Sequence, residues 1–333
     1  VRALRYGPLS TVWRVRAFVA TLALAAGIMV LAGLSVSIVG DYRLNILSVL
    51  AGHGSRAEQL VVYQWRLPRT ATAIVVGIAL GLSGALTQSV TRNPLASPDI
   101  LGITSGASAA AVTVLTLGAA TWSLPLAALV GACVTALAIW ALAFRRSLDP
   151  YRLVLCGIIV TALLQSYINF LMIRADIRDA TSAQFWLTGS LNAAHWGRAL
   201  PLCVVIIALL PLIGWMAHQL KATSLGEDSA ASLGVRVNAS YLTFLGVAVL
   251  VAALAVSAAG PIGFVAFVAP QLALRVSGVS TPPLLASALM GAALVLAADI
   301  TTQTLLPTEL PVGLVTSALG GLFLIYLLRK VNA

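Results

Sequence analysis

Charge is what this sequence has least of. Of its 333 residues, 9% are Asp, Glu, Lys or Arg, where a soluble domain carries roughly a quarter. Such a chain cannot cover a water-facing surface with polar groups, which excludes a soluble globular fold. Lysine occurs twice, and Lys221 and Lys330 precede Ala222 and Val331. A Gly-rich phosphate loop ends in Lys-Ser or Lys-Thr, so the chain has no nucleotide-hydrolysing loop of its own. Cys133, Cys156 and Cys203 all sit in apolar blocks and read as buried small hydrophobes, not as a disulfide framework. His53, His195 and His218 lie far apart with no Cys or carboxylate at ligand spacing, so no metal site is expected. No Ser-His-Asp order, His-Glu-x-x-His run or pair of catalytic carboxylates stands out, and an enzyme reading has little to rest on.

What the chain does have is long apolar runs. Hydrophobic residues make up 60% of it. Ala17 to Val39 runs 23 residues without a charge, longer than the ~20 needed to cross the hydrocarbon core. Similar blocks cover 70–90, 100–121, 124–144, 153–173, 199–217, 239–259, 284–298 and 312–328. A further stretch, 262–274, is too short for a perpendicular span. The expected fold is therefore an all-α integral membrane protein of about ten transmembrane helices. The first block exceeds the ~7–15 residues of a signal-peptide core, so an uncleaved first span is expected.

Basic residues give the orientation. With the N-terminus in the cytoplasm, inside segments hold thirteen of the twenty Lys and Arg, including Arg2, Arg5, Arg14, Arg16, Arg92, Arg145, Arg146, Lys221, Arg236 and Arg329. That inequality follows the positive-inside rule and explains most of the +10 net charge as topology, not as a nucleic-acid surface. The expected layout is a cytoplasmic basic tail over 1–16 and a single transmembrane domain over 17–330, with both termini cytoplasmic. The connections at 40–64, 174–198 and 298–311 then lie outside, the first with a short interfacial helix over Asn45–Leu50. Trp186 and Trp196 are expected at headgroup level. Gly-rich segments at 83–85 and 259–261, read as ends of the second and seventh spans, hint at two inverted five-helix halves.

Several segments carry more than hydrophobicity. Thr91–Gly106 contains Arg92, Asn93, Pro94, Pro98 and Asp99; it is either an ordinary inside turn or a constriction lining a central path. Ser97 reads as an N-cap, Pro98 as the first helical residue and Asp99 as a complement to the helix dipole. Gly77 with Gly81, and Gly102 with Gly106, form Gly-x-x-x-Gly pairs that let helices approach closely. In Ser224–Val237, Ser224 and Glu227 have capping-box spacing, Asp228 adds an anion and Gly234 a stop, which bounds a helix of about nine residues. Too short to span, it docks on this chain's own face or on a separate subunit. Arg66 and Arg69, at the outer start of the second span, either snorkel to headgroups or meet an acidic partner. Asp299 and Glu309 are expected near the outer ends of their spans.

With these motifs the sequence resembles the FecCD-type permease subunits of bacterial ATP-binding-cassette importers for iron–siderophore, haem and vitamin B12. The resemblance rests on Arg66-Leu67-Pro68-Arg69, Ser83-Gly84-Ala85-x-x-Gln88, Arg92-Asn93-Pro94-Leu95-Ala96-x-Pro98, Leu225-Gly226-Glu227 through Leu233-Gly234-Val235, Gly260-Pro261-Ile262-Gly263-Phe264-Val265, Ala298-Asp299-Ile300 and Glu309-Leu310-Pro311-x-Gly313. These come in the family's order and span nearly the whole chain. The resemblance implies ten membrane helices per subunit, a second permease subunit (identical or homologous), two cytoplasmic ATPase subunits carrying ATP and Mg, and an extracytoplasmic substrate-binding protein. No cofactor is implied on this chain. Arg66 and Arg69 match arginines that meet carboxylates of the binding protein. Ser224, Leu225, Gly226, Glu227, Asp228, Leu233 and Gly234 match the segment that couples to the ATPase. Asn93 and Leu95 match a cytoplasmic constriction, and Pro150 and Tyr151 fall at another inner gate.

The cargo implied is a ferric-siderophore, with vitamin B12 and then haem as alternatives, and the place a bacterial inner membrane. Two positions depart from the pattern: Gln303 stands where the family often has Arg, and Gln271 where many relatives have His. An ion-coupled secondary transporter would need an ionisable relay at the bilayer centre, and the apolar blocks carry none.

Overall fold

A computed structural model describes residues 2–6, 9–13, 15–38, 49, 54–118, 123–144, 150–305 and 310–331. Within the basic leader, β1 (Arg2–Tyr6) and β2 (Leu9–Trp13) pair antiparallel, with Arg2 opposite Trp13. Thr11, Val12 and the aromatic Tyr6 and Trp13 suit a pleated ribbon better than a helix.

The rest is helical. The helices are α1 (Val15–Ile38), α2 (Arg56–Leu60), a π-helical turn over Val61–Arg66, and α3 (Leu67–Thr91). After a 3-10 turn at Pro98–Leu101 come α4 (Ile103–Thr116), α5 (Leu124–Ala143), α6 (Pro150–Arg174), α7 (Ile177–Leu187) and α8 (Trp196–Thr223). The short α9 (Glu227–Ser232) precedes α10 (Val237–Ala259), α11 (Val265–Ser277), α12 (Leu284–Thr304) and α13 (Val312–Val331). Among the described residues seven helical stretches, built on α1, α2–α3, α5, α6, α8, α10 and α12, are long and apolar enough to cross a membrane. Shorter apolar helices occupy α4, α11 and α13. Of the expected interfacial helix at 45–50, only Val49 falls within the described residues.

Helix α3 is the axis. In the Arg56–Thr91 stretch 83% of the most apolar window is buried, against 11% for α1, so α3 runs through the middle and α1 lies at the edge. Pro68 sits inside this continuous helix, where its ring would meet the carbonyl four residues back. The π turn just before it, closed by Leu67 N–H to the Val62 carbonyl, is wide enough to relieve that clash. The segment 83–85, expected at a span's end, lies instead in the interior of α3, which continues to Thr91.

Glycine sets how near the neighbours come. A Cβ on Gly77 would overlap the Gly291 carbonyl, one on Gly81 the Ser287 carbonyl, and one on Gly84 the Ala266 carbonyl. The pairings 77 with 291 and 81 with 287 run in opposite directions, so α3 and α12 are antiparallel with backbones in contact. Pro270 in α11 has no N–H to offer the Ala266 carbonyl, which leaves that oxygen to face Gly84. Gly106 does for α4 what Gly81 does for α3, abutting Gly131 and Thr135 of α5. Both expected Gly-x-x-x-Gly faces thus mark helix contacts. The cysteines are free, and Cys133 is exposed on α5, not buried as expected.

Overpacking at such a contact costs about 1–3 kcal/mol, whereas Gly33 has open space around it. Thermal unfolding in detergent should therefore show Gly81→Ala clearly destabilised and Gly33→Ala unchanged or slightly stabilised. Equal melting temperatures for the two would contradict the close approach.

Candidate functional site

The two ends of α3 carry the described ion pairs, one each. At its N-terminal end Arg69 grips Asp299 of α12 in a fork: Nε lies 3.1 and 3.2 Å from the two carboxylate oxygens and Nη2 lies 2.9 Å from Oδ1. Asp299 is fully buried, while 19% of the Arg69 side chain reaches the surface. Gln303, one helical turn further along, donates from Nε2 to Asp299 Oδ2 at 2.8 Å. The residue that departs from the family pattern thus occupies the remaining carboxylate edge as a neutral donor. Asp299 lies near the C-terminal end of its helix, as expected, with its carboxylate buried against protein, and Glu309 lies outside the described residues. The helix extends past the apolar block to Thr304, with Thr301 and Thr302 hydroxyls returning to carbonyls of their own helix.

Arg66 does not snorkel to headgroups. It is 8% exposed, and its Nη1 donates to the Val36 and Ser37 carbonyls at 2.8 and 3.3 Å. These are among the last carbonyls of α1, which lack partners within their own helix. A cation there also complements the negative end of the helix dipole. Arg16 treats α11 in the same way, donating to the Arg275 and Val276 carbonyls at 3.0 and 3.1 Å.

The other end of α3 is looser. Arg92 ends the helix in a left-handed conformation, φ 49°. Asn93 folds the next residues into a tight loop, its Oδ1 accepting the Leu95 N–H at 2.9 Å and its carbonyl the Ala96 N–H at 3.1 Å. Asn93 is exposed and Leu95 is 45% exposed. Ser97 then precedes Pro98 as expected, but the turn it opens is 3-10, and Gly102, left-handed at φ 67°, breaks it before α4 begins. The Ser97 and Thr104 hydroxyls both hydrogen-bond the Asp99 carboxylate. Tyr151, 75% exposed, stands with Pro150 at the start of α6, which packs on that 3-10 turn.

The segment after α8 differs from its sequence reading. Ser224 is not the cap of α9. Its N–H finishes α8 on the Leu220 carbonyl and its hydroxyl turns back to the Lys221 carbonyl at 2.8 Å. Gly226, at φ 109°, makes the corner, so α9 begins at Glu227 and runs six residues, not about nine. Gly234 does end it: at φ 82° it bonds the Ala231 carbonyl while Val235 N–H reaches Ala230, a Schellman closure. Of α9 only Ala230 is buried, and the flanking Leu225 and Leu233 are 65% and 66% exposed. Glu227 Oε1 lies 3.2 Å from Arg92 Nη2, which brings the Asn93–Leu95 loop and the α9 segment together.

Beside this junction a cavity of about 290 Å³ opens between α3, α8 and α11, lined by Gln88, Arg92, Thr223, Ser224 and Gln271 among others. Gln271 Nε2 donates to Gln88 Oε1 at 2.7 Å, and Gln88 Nε2 donates to the Phe267 carbonyl at 3.0 Å. The sequence presents the members of these pairs separately. Nothing in it joins Arg92 to Glu227, Gln88 to Gln271 or Arg69 to Asp299, because each pair spans more than a hundred residues.

A bundle of apolar helices around one buried core, with paired charges at the ends of its central helix, defines a multi-pass membrane protein. Residues 25–330 match the model of the FecCD transport family, and the chain belongs to that family. It is 42% identical over 286 residues to the ferric enterobactin transport system permease protein FepG of Escherichia coli, covering 85% of this chain and 87% of that one. It is 41% identical over 291 residues to the achromobactin transport system permease protein CbrC of Dickeya dadantii, covering 86% and 83%. Among solved structures it is similar to an inward-facing transporter described as of the metal-chelate ABC type. That likeness has a TM-score of 0.81 and 28% identity, and covers 93% of this chain and 98% of that one.

Removing one member of a buried pair costs about 3–5 kcal/mol, because the other is left charged and unpaired. Arg69→Leu should accordingly lower the unfolding temperature sharply, and Asp299→Leu added to it should recover most of the loss. A double variant no better than Arg69→Leu would contradict the pairing.

Proposed function

We propose that the chain is the membrane-spanning permease subunit of an ATP-driven importer that takes up a ferric-siderophore. The observation that carries this reading is family membership along nearly the whole chain together with relatives whose names specify ferric enterobactin and iron(3+)-hydroxamate. In this reading the seven long helices and three shorter ones make ten spans in two inverted halves, with both termini cytoplasmic. A second permease subunit, identical or homologous, closes the path. Two ATPase subunits beneath supply ATP and Mg, and this chain hydrolyses nothing.

The residues divide by end. The Arg69 end faces outward and receives the substrate-binding protein. Arg69 offers a partner carboxylate its exposed edge while Asp299 holds the other, and the buried Arg66 adds field more than contact. The Arg92 end faces the cytoplasm. There Asn93 and Leu95, with Pro150 and Tyr151, narrow the path. Leu225 and Leu233 are large apolar side chains standing in water at the tip of a helix that buries one residue of its own, which suits them to a cleft on the ATPase, with Ser224, Gly226, Glu227, Asp228 and Gly234 shaping that contact. Binding and hydrolysis of ATP bias the outward and inward states by their different contacts at α9.

Proteoliposomes holding the complete importer test this directly. Radioiron from ferric enterobactin, ferrichrome or ferric citrate, presented on the binding protein, should accumulate only with ATP, and cyanocobalamin should not. Accumulation without the ATPase subunits would contradict the reading, and selective uptake of cyanocobalamin would reassign the cargo. Leu233→Asp should reduce retention of the ATPase on the purified permease at least about tenfold, since apolar anchors dominate such contacts.

A further inference from the structure

The importer reading gives tasks to Asn93, Leu95 and α9 and none to Arg92, which stands between them. We propose that Arg92 is a positioning residue that ties the constriction loop to the ATPase-facing helix, so that the two move as one; this rests on the importer reading. The geometry is that of a bracket. A single guanidinium nitrogen, Nη2, lies 3.2 Å from Glu227 Oε1 and 3.1 Å from the Tyr241 hydroxyl. Glu227 is in the first turn of α9, whereas Tyr241 is 3% exposed and set firmly in α10.

Three features make this more than a surface contact. The first is the backbone. Arg92 is one of two non-glycine residues with positive φ among the described residues. Glycine would hold the left-handed turn without the Cβ clash, so an arginine at this position is accounted for by its side chain. The second is connectivity. Helix α9 packs on α8 and α10, and neither carries the constriction loop. Of the two ion pairs among the described residues, Arg92–Glu227 is the one that joins α9 to that loop. The third is the stiffness of the loop itself. Asn93 bonds the backbone of Leu95 and Ala96, so a displacement of Arg92 carries the whole 92–96 loop with it.

The pair is built to respond to the ATPase. With both side chains about half exposed, it is weak in the free chain, as exposed ion pairs are. A subunit seated over α9 excludes water from Glu227 and Arg92, and the attraction rises as the local dielectric falls. The tie therefore tightens when the ATPase is engaged.

The complete importer in proteoliposomes tests the assignment, read as cargo molecules transported per ATP hydrolysed with ferric enterobactin, ferrichrome or ferric citrate as the probe. Arg92→Asn keeps a residue tolerant of the left-handed backbone and removes the cation. It should lower the ratio at least about fivefold, the low end of typical coupling between sites, while ATP hydrolysis continues. Glu227→Gln should lower the same ratio, and the exchange Arg92→Glu with Glu227→Arg should restore part of it. Arg92→Asn with the unmodified ratio would overturn the proposal. So would a parallel fall of hydrolysis and transport, which is what a merely structural residue gives, or an exchange variant no better than either single change. An unmodified complex that transports neither these probes nor cyanocobalamin would instead overturn the importer reading, and the bracket with it.

Discussion

Helix α3 lies against α12 at a separation that the missing side chains of Gly77, Gly81 and Gly291 alone permit. In lipid there is no hydrophobic gain in bringing two apolar helices together, so dispersion between close backbones and a few polar contacts have to hold the bundle. The polar contacts sit along the same helix. Ser83 donates to the Ala248 carbonyl of α10, Gln88 to the Phe267 carbonyl of α11, and Ser35 of α1 shares a hydrogen bond with Thr70. Thus α3 is fixed on several sides, and the groups at its two ends are positioned by a rigid rod.

The ends are unlike, and the difference follows burial. At the Arg69 end the carboxylate is fully buried, held by a forked arginine and a glutamine, and α1 is capped by Arg66. Loss of any one of these partners leaves a desolvated polar group. At the Arg92 end the ion pair is half exposed, the loop is short, and α9 buries a single side chain. Segments of few buried contacts open at little cost. On the proposed importer reading the stiff end is the outer one and the yielding end the inner one, as a conduit driven from one side requires.

Much of this was legible in the sequence, for reasons that lipid imposes. A span needs about twenty apolar residues, so α1, α8 and α10 announce themselves, and the Gly-x-x-x-Gly spacing marks the close faces because only glycine fits there. Local turn chemistry was legible where one residue decides it, as at Gly234. It failed where two elements compete for a residue. Ser224 has capping-box spacing to Glu227, but the end of α8 claims its N–H and hydroxyl first. Pairing across the fold was not legible at all. Asp299 reads in one dimension only as a residue near a span's end and becomes a buried, paired carboxylate because Arg69, 230 residues earlier, is brought to it by the α3–α12 contact.

The proposed joint movement of the 92–96 loop and α9 is most directly measured as a distance. Spin labels at Leu95→Cys and Ser229→Cys, both exposed sites, can be placed in a variant lacking Cys133, Cys156 and Cys203, with a second pair joining Leu95→Cys to Tyr151→Cys. In the assembled importer, passage from the nucleotide-free to the ATP-bound state should leave the 95–229 distance unchanged while the 95–151 distance changes. A 95–229 distance that shifts while 95–151 stays fixed would contradict a loop carried by the ATPase-facing helix.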